Sequence, residues 1–162
     1  MKKLLVRVNS SRRAVLSLKV ISYISSALCV LVFCIQLLLL TLDGEYLTAI
    51  GVAASCAIGL LTVTLMRKII NAPRPYEFYD FYEQKPRDKS GQSFPSRHAY
   101  SAFVIAVISW LLHPAVSISL FVVGICLSVA RVLLGIHFVR DVLVGAALGI
   151  ISGVLGILII VL

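Results

Sequence analysis

Uncharged apolar runs, each long enough to cross a lipid bilayer, constrain this chain more than any other feature. Residues 20–42 and 46–66 hold 23 and 21 residues without a formal charge, and residues 142–162 hold another 21. As helices, runs of this length span about 30 Å of hydrocarbon. Residues 98–130 form a run of 33, too long for one helix, and Pro114 is the natural break because proline interrupts a helix. The sequence therefore predicts an all-α integral membrane bundle of about five transmembrane helices.

Composition and charge exclude several classes of protein. A hydrophobic share of 60% and a mean hydropathy of +1.03 lie outside the range of soluble globular domains. The net charge of +8 does not indicate nucleic-acid binding, because the cations lie beside apolar runs; membrane lipids with anionic headgroups are the expected partners. The four cysteines lie inside apolar runs without CxxC or Cys/His spacing, so neither a disulfide framework nor a zinc site is indicated.

Residues 1–19 form a basic N-terminal segment ahead of a single membrane-embedded domain, residues 20–162. Six cations stand among apolar residues whose spacing is only loosely helical. The segment therefore fits either a helix lying on the membrane surface or a basic tail. A cleaved signal peptide is not indicated, because charges recur as far as Lys19 and the apolar run that follows is too long.

Glycines recur every four residues in the last apolar run, at Gly145, Gly149 and Gly153. A stripe of small residues lets two helices approach closely. It fits a homodimer interface, but close packing inside the chain's own bundle is the favoured interpretation.

Three groups of charged and polar residues border the apolar runs, at 67–75, 95–98 and 131–141. The polar segment 67–97 also carries aromatics at 76–82, which suit the membrane interface, and a turn at 88–91. An ionisable group costs roughly 2.5–3.5 kcal/mol at the centre of a membrane helix, and less near its ends. A purely structural protein gains little from clustering such groups, so a site that binds and transfers phosphate is predicted.

His137 and Asp141 are four residues apart and share a face if they share a helix. A carboxylate bonded to one imidazole nitrogen leaves the other with a free lone pair, as a histidine nucleophile requires. Taken alone, the pair also fits an ordinary surface interaction at a helix start. Arg74 and Arg131 offer planar donor forks for phosphate oxygens, although single arginines at span borders also contact lipid headgroups.

Ser96 and His98 lie where a loop is expected to become a helix. Pro95 and Ser96 suit a first helical turn, whose free N–H groups and positive dipole end attract an anion. His98 is then placed to protonate a leaving oxygen. The alternative for Ser96 is an ordinary helix cap.

Together the three groups resemble the signature of the type-2 phosphatidic acid phosphatase superfamily, which also includes vanadium-dependent haloperoxidases. That signature reads K-x6-R-P, then P-S-G-H, then S-R-x5-H-x3-D, and the match covers residues 67–141. The resemblance implies that His137 attacks phosphorus and forms a phosphohistidine, that Asp141 orients it, and that His98 protonates the departing lipid oxygen. It also implies that no metal or other cofactor is needed. The phosphate-binding residues would be drawn from Arg67, Lys68, Arg74, Ser96, Arg97 and Arg131.

The chain departs from the signature at three positions. Arg67 stands at the lysine position and Lys68 comes one residue late, about 100° round a helix; either supplies the cation, and register favours Arg67. Arg97 replaces the glycine, where a left-handed backbone would be strained, and adds a cation suited to a second phosphate. Ala130 replaces the serine before Arg131, which removes any hydrogen bond from that hydroxyl.

The distribution of charge predicts which side of the membrane carries the site. All 15 Lys and Arg fall on one side of a five-helix topology, whereas Asp43, Glu45 and His113 fall on the other. The positive-inside rule then places the site in the cytoplasm. Since several cations have a catalytic reason to be present, the six in residues 1–19 carry this inference.

The favoured function is hydrolysis of a lipid phosphate or diphosphate. Arg97 and Lys68 suit a polyprenyl diphosphate such as undecaprenyl diphosphate, whereas a cytoplasmic site suits phosphatidylglycerophosphate or phosphatidic acid. The alternative is a non-enzymatic lipid-phosphate binding or transport protein, although transporters usually show repeated halves with broken helices, which this sequence lacks. A haloperoxidase is disfavoured, because those members resemble soluble enzymes.

Overall fold

The computed structural model describes residues 2–78 and 90–161. These residues form seven α-helices and one short 3-10 helix, and no strand is present among them. The helices are α1 (Lys2–Asn9), α2 (Arg12–Leu42), α3 (Tyr46–Ile70), α4 (Pro75–Phe78), α5 (Arg97–Ile108), α6 (Pro114–Leu133) and α7 (Val139–Val161), with the 3-10 helix at Ser109–Leu111. The aromatics predicted to lie at the interface in 79–82, and the first half of the turn predicted at 88–91, lie outside the described residues.

Four long helices confirm the membrane bundle. The helices α2, α3, α6 and α7 contain 31, 25, 20 and 23 residues and are long and apolar enough to cross a membrane. Many of their Leu, Ile and Val side chains are exposed on the outside of the bundle, as expected for a surface that contacts lipid. The predicted break is also confirmed, because α6 begins at Pro114 and His113 Nδ1 accepts a hydrogen bond from the Ala115 N–H at 3.1 Å.

The N-terminal end of the bundle extends further than predicted. Helix α2 begins at Arg12, with Ser11 as its N-cap, so the predicted run 20–42 is the later part of one longer helix. Helix α1 packs near the end of α6, where Asn9 Nδ2 donates to the carbonyl of Leu133 at 3.0 Å. Leu5 of α1 is buried. The first residues are therefore helical and packed against the bundle.

Helix α5 lies inside the bundle and is shorter than the predicted span. It has 12 residues, eight of them buried, and a 3-10 extension of three residues follows. Carbonyls at the end of such a helix would be costly to leave unpaired in hydrocarbon. Gln36 Nε2 donates to Ile108 O at 3.0 Å, and Ser117 Oγ donates to Ala106 O at 2.7 Å. These side chains allow α5 to end within the bundle.

The glycine stripe of α7 packs against α5. A Cβ atom at Gly149 would lie 2.5 Å from the carbonyl oxygen of Tyr100, and one at Gly145 would lie 2.5 Å from that of Ser96. Gly153 faces the same helix. The homodimer interpretation is not supported, because this face is already occupied within the chain. The close approach also places the start of α5 beside the start of α7, where the charged residues collect.

Candidate active site

His137 and Asp141 lie where the loop after α6 enters α7. The side chains are 3% and 0% exposed, with His137 Nδ1 3.7 Å from Asp141 Oδ2. The two residues do not share a helix, because α7 begins at Val139 and His137 belongs to the loop before it. The carboxylate instead caps α7, since its Oδ2 accepts from the Phe138 N–H at 2.9 Å. The pair is therefore held by loop and helix together, with Nδ1 facing the carboxylate.

Ser93 also contacts this pair, and the sequence analysis missed it. Its side chain is fully buried, and its hydroxyl donates to Asp141 Oδ2 at 2.5 Å while lying 3.4 Å from His137 Nδ1. The available signal was its place two residues before Pro95, but nothing in its sequence neighbours distinguishes it from Ser90. Only the folded chain shows that its hydroxyl reaches the carboxylate.

Arg67, and not Lys68, joins the buried cluster. The Arg67 side chain is 4% exposed, and its Nη1 donates to the carbonyls of Ser93 at 3.3 Å and Pro95 at 2.8 Å. Lys68 is exposed on another side of α3. The structure therefore places the residue favoured by register at the site and leaves Lys68 outside the cluster.

Arg74 lies between α3 and α4. Its Nε donates to the carbonyl of Gly91 at 2.9 Å, and its guanidinium carbon lies 5.8 Å from the centroid of the Tyr76 ring. Helix α3 ends at Ile70, and the left-handed backbone of its C-cap Asn71 (φ 43°) turns the chain. The turn brings the guanidinium group of Arg74 close enough to that of Arg67 for electrostatic interaction.

The second sequence group forms the N-terminus of α5, as predicted. Ser96 is the buried N-cap: its hydroxyl accepts from the Ala99 N–H at 3.4 Å, and its own N–H donates to the Asp141 carbonyl at 2.9 Å. Arg97 is the first helical residue and is exposed. Its φ is not positive, so the expected left-handed strain is absent and a cation replaces glycine without that cost.

His98 and Arg131 bring α5 and α6 to the same place. His98 interacts electrostatically with Arg131 and His137. Arg131 lies in the last turn of α6, and its Nε is buried without a hydrogen-bond acceptor among the described residues. Ala130, which replaces the serine of the signature, is buried in the core. A guanidinium donor is therefore available beside the imidazole of His98.

Burial and positive charge keep His137 neutral. Its pKa lies below the ordinary value of 6.5, mainly because burial disfavours the charged ring; the neighbouring carboxylate of Asp141 opposes this shift, and Arg67 and Arg74 add to it. With Nδ1 turned to the carboxylate, the lone pair of a neutral ring is left on Nε2. A neutral imidazole nitrogen beside fixed guanidinium groups suits nucleophilic attack on phosphorus.

All three sequence groups thus meet at one end of the bundle. The sequence profile of the PAP2 superfamily matches residues 48–161, which is more than half of the chain and contains every side chain of this cluster. The chain belongs to the PAP2 superfamily. The resemblance inferred from the three groups is therefore confirmed, and Arg67, Arg97 and Ala130 are departures within a PAP2 protein.

Two curated relatives are similar to this chain over part of their length. A lipid A 1-phosphatase from Porphyromonas gingivalis is 32% identical over 100 residues, which are 59% of this chain and 22% of the relative. A lipid A 1-phosphatase from Rhizobium etli is 30% identical over 93 residues, which are 55% of this chain and 40% of the relative. The chain therefore spans less than half the length of these relatives.

Solved structures share the PAP2 fold along nearly the whole chain. The crystal structure of Aquifex aeolicus LpxE has a TM-score of 0.70 and 22% identity, covering 96% of this chain and 93% of LpxE. A transmembrane PAP2-type phosphatidylglycerolphosphate phosphatase from Bacillus subtilis has a TM-score of 0.72 and 21% identity, covering 96% and 83% of the two chains. At these identities the likeness shows a common helical membrane fold.

A partly open cavity of about 300 Å³ adjoins the PAP2 site. Arg97 and His98 line one part of it, and apolar side chains from α2, α3, α5 and α6 line most of the rest. These include Cys29, Leu60, Ile105 and Leu127. Among the described residues, no three His, Cys, Asp or Glu side chains are grouped to hold a metal ion. The site thus combines a cationic end with an apolar one.

Proposed function

We propose that this PAP2 protein is a membrane lipid phosphatase that acts through a phosphohistidine on His137. The observation that carries the proposal is a buried imidazole whose Nδ1 faces Asp141 while the charges of Arg67 and Arg74 act on the ring. Transfer of a phosphoryl group spreads negative charge over three oxygens in the transition state. Fixed guanidinium groups next to a neutral nucleophile suit that charge distribution.

The proposed reaction has two steps. His137 Nε2 attacks phosphorus, the bond from phosphorus to the lipid oxygen breaks, and His98 donates a proton to that oxygen. His98 then takes a proton from water, which attacks the phosphohistidine and releases phosphate and neutral His137. Arg67, Arg74 and Arg131, together with the N–H groups at the start of α5, bind the phosphoryl oxygens in both steps.

The cavity beside His98 supports a lipid substrate. Its volume of about 300 Å³ lies at the lower end of the roughly 300–1,000 Å³ common for ligand pockets. Its apolar lining by Leu60, Ile105 and Leu127 suits the first part of a hydrocarbon chain. A phosphate held beside His137 would then have its lipid oxygen near His98.

Two kinds of lipid phosphate are supported by different observations. Some relatives are named lipid A 1-phosphatase and phosphatidylglycerolphosphate phosphatase. Their names support a lipid substrate whose reacting phosphate is not joined to a second phosphate. The exposed Arg97, which lines the cavity next to His98, supports a diphosphate such as undecaprenyl diphosphate, because it adds a cation beyond those around His137. We propose the diphosphate as the preferred substrate.

The preference can be tested with Arg97→Gln and a charge-matched control. We expect Arg97→Gln to lower kcat/KM for undecaprenyl diphosphate roughly 10- to 100-fold, because one charged hydrogen bond contributes an effect of that size. The same change should have little effect on the hydrolysis of phosphatidic acid. Lys19→Gln removes an exposed cation outside the cluster and should leave both rates unchanged. Free phosphate from each lipid in detergent micelles is the measurement. An equal loss of activity on both lipids would contradict the proposal that Arg97 binds the second phosphate. If the unmodified protein released no phosphate from any lipid phosphate, the proposed phosphatase function would be contradicted.

We also propose that the site faces the cytoplasm. Support comes from α1 and the start of α2, which carry six cations, and from the packing of Asn9 of α1 on the end of α6 near Arg131. The acidic turn at 43–45 lies at the other end of α3; its last residue, Glu45, is 22 residues before Arg67, or about 33 Å away along the helix.

Cysteine labelling can test this orientation. Ser90 is exposed at the site end and Asp43 is exposed at the opposite end, so Ser90→Cys and Asp43→Cys form a matched pair. The exposed Cys34 and Cys126 are first replaced by alanine. A maleimide that cannot cross membranes should label Asp43→Cys, and not Ser90→Cys, in intact cells. The reverse pattern would place the site outside.

A further inference from the structure

Ser93 lies closer to both members of the His–Asp pair than they lie to each other. Its Oγ is 2.5 Å from Asp141 Oδ2 and 3.4 Å from His137 Nδ1, whereas Oδ2 and Nδ1 are 3.7 Å apart. A separation of 3.7 Å is too long for a direct hydrogen bond. The serine hydroxyl is therefore the group that can connect the carboxylate to the ring.

The hydroxyl has one proton, and that proton is already assigned. An ionised carboxylate only accepts hydrogen bonds, so the short contact with Asp141 requires Ser93 to be the donor. Oγ can then offer only a lone pair to His137, which makes Nδ1 the donor. A neutral imidazole with its proton on Nδ1 has a bare Nε2. The chain of hydrogen bonds thus selects the tautomer that the nucleophile needs.

The backbone of Ser93 is fixed from two directions. Its N–H donates to the carbonyl of Ala72 at 2.8 Å, and its carbonyl accepts from Arg67 Nη1 at 3.3 Å. The side chain is 0% exposed, so water does not compete for the hydroxyl. The residue is therefore held by the same arginine that stands at the first position of the signature.

We propose that Ser93 is a positioning residue, whose hydroxyl relays hydrogen bonding from Asp141 to His137 and holds the ring with Nε2 free. This role rests on the proposed phosphatase function. No proton needs to move along the relay, because Nδ1 keeps its proton when Nε2 forms the bond to phosphorus. The positive charge of the phosphohistidine ring is then stabilised by the carboxylate through the hydroxyl.

The first test measures the tautomer directly and does not depend on activity. In the full chain in detergent, with histidine labelled by ¹⁵N, the ring nitrogens of His137 should show the proton on Nδ1 in the unmodified protein. Ser93→Ala should give a mixture of tautomers, and Ser93→Thr, which keeps the hydroxyl, should restore the Nδ1 proton. A tautomer that does not change in Ser93→Ala overturns the proposal, whatever the activity.

The second test separates positioning from folding. With phosphatidic acid micelles as the probe, Ser93→Ala should lower kcat roughly 10- to 100-fold, by analogy with the loss of a residue that orients a metal-binding histidine, and should leave KM nearly unchanged. Ser109→Ala is the control, since Ser109 is equally buried but bonds to Gln36 at 3.3 Å; its kcat should not change. An unchanged kcat in Ser93→Ala, or an equal loss in Ser93→Thr, would overturn the role.

Discussion

Replacing His137 with alanine is expected to abolish phosphate release. The loss in kcat should be on the order of 10⁶-fold, as when the nucleophile of a serine protease is removed. Nδ1 of the buried ring faces Asp141, and the ring interacts electrostatically with Arg67 and Arg74. Alanine removes the ring nitrogen that would accept the phosphoryl group. Phosphate released from undecaprenyl diphosphate and from phosphatidic acid in micelles is the measurement.

The covalent intermediate gives the same variant a second measurement. With a ³²P-labelled lipid and an alkaline detergent quench, the unmodified protein should retain label on histidine, whereas His137→Ala should retain none. His113→Ala is the control, because this exposed histidine caps the start of α6 away from the site. It should keep full activity and labelling. Label that persists in His137→Ala, or more than about one per cent of the original activity, would assign the nucleophile elsewhere.

The long helices could be predicted because hydrocarbon leaves an uncharged run few alternatives. A backbone that crosses lipid must satisfy its own hydrogen bonds, which favours helices. Residues 20–42, 46–66 and 142–161 therefore lie in α2, α3 and α7. Pro114 fixed the start of α6 for a reason equally local, since proline lacks the N–H that a helix interior needs.

The length of α5 depends on distant residues and could not be predicted. Gln36, in the middle of an apolar run, donates to the carbonyl of Ile108, 72 residues away. Ser109 Oγ donates to the side-chain oxygen of the same Gln36 at 3.3 Å. Hydrophobicity at each position does not indicate such a pairing. The run 98–130 therefore predicted a helix break at Pro114 but not the residue at which α5 ends inside the bundle.

The composition of the site could be predicted, but its connections could not. Spacing along one chain identified His137 and Asp141 as partners, but it did not show that α7 starts between them. Ser93 contacts Asp141 across 48 residues, and no periodicity links them. Register did separate Arg67 from Lys68, because a shift of one residue turns a side chain about 100° round a helix.

Replacing Asp141 with asparagine is expected to lower kcat on the order of 10⁴-fold, the effect of the analogous change in the serine-protease triad. Asparagine keeps the shape, but Oδ2 accepts from both the Phe138 N–H at 2.9 Å and the Ser93 hydroxyl at 2.5 Å. An amide oxygen in that position keeps both hydrogen bonds but carries no charge to stabilise the phosphohistidine. An amide N–H₂ group there would donate to Ser93, whose hydroxyl would then donate to His137 Nδ1. That second arrangement favours the tautomer with the proton on Nε2, so the nucleophile would lose its lone pair.

The pH dependence of Asp141→Asn separates this explanation from a simple change in titration. Burial and the charges of Arg67 and Arg74 lower the pKa of His137, whereas the neighbouring carboxylate of Asp141 raises it. Losing the carboxylate should therefore lower that pKa further, so the ring stays neutral to a lower pH and more of it is unprotonated than in the original protein. A deficit in kcat that persists from about pH 5 to 9 is expected, because neutrality without the correct tautomer does not restore a nucleophile. A deficit that disappears at one end of this range would show that Asp141 acts only by setting the charge of the ring.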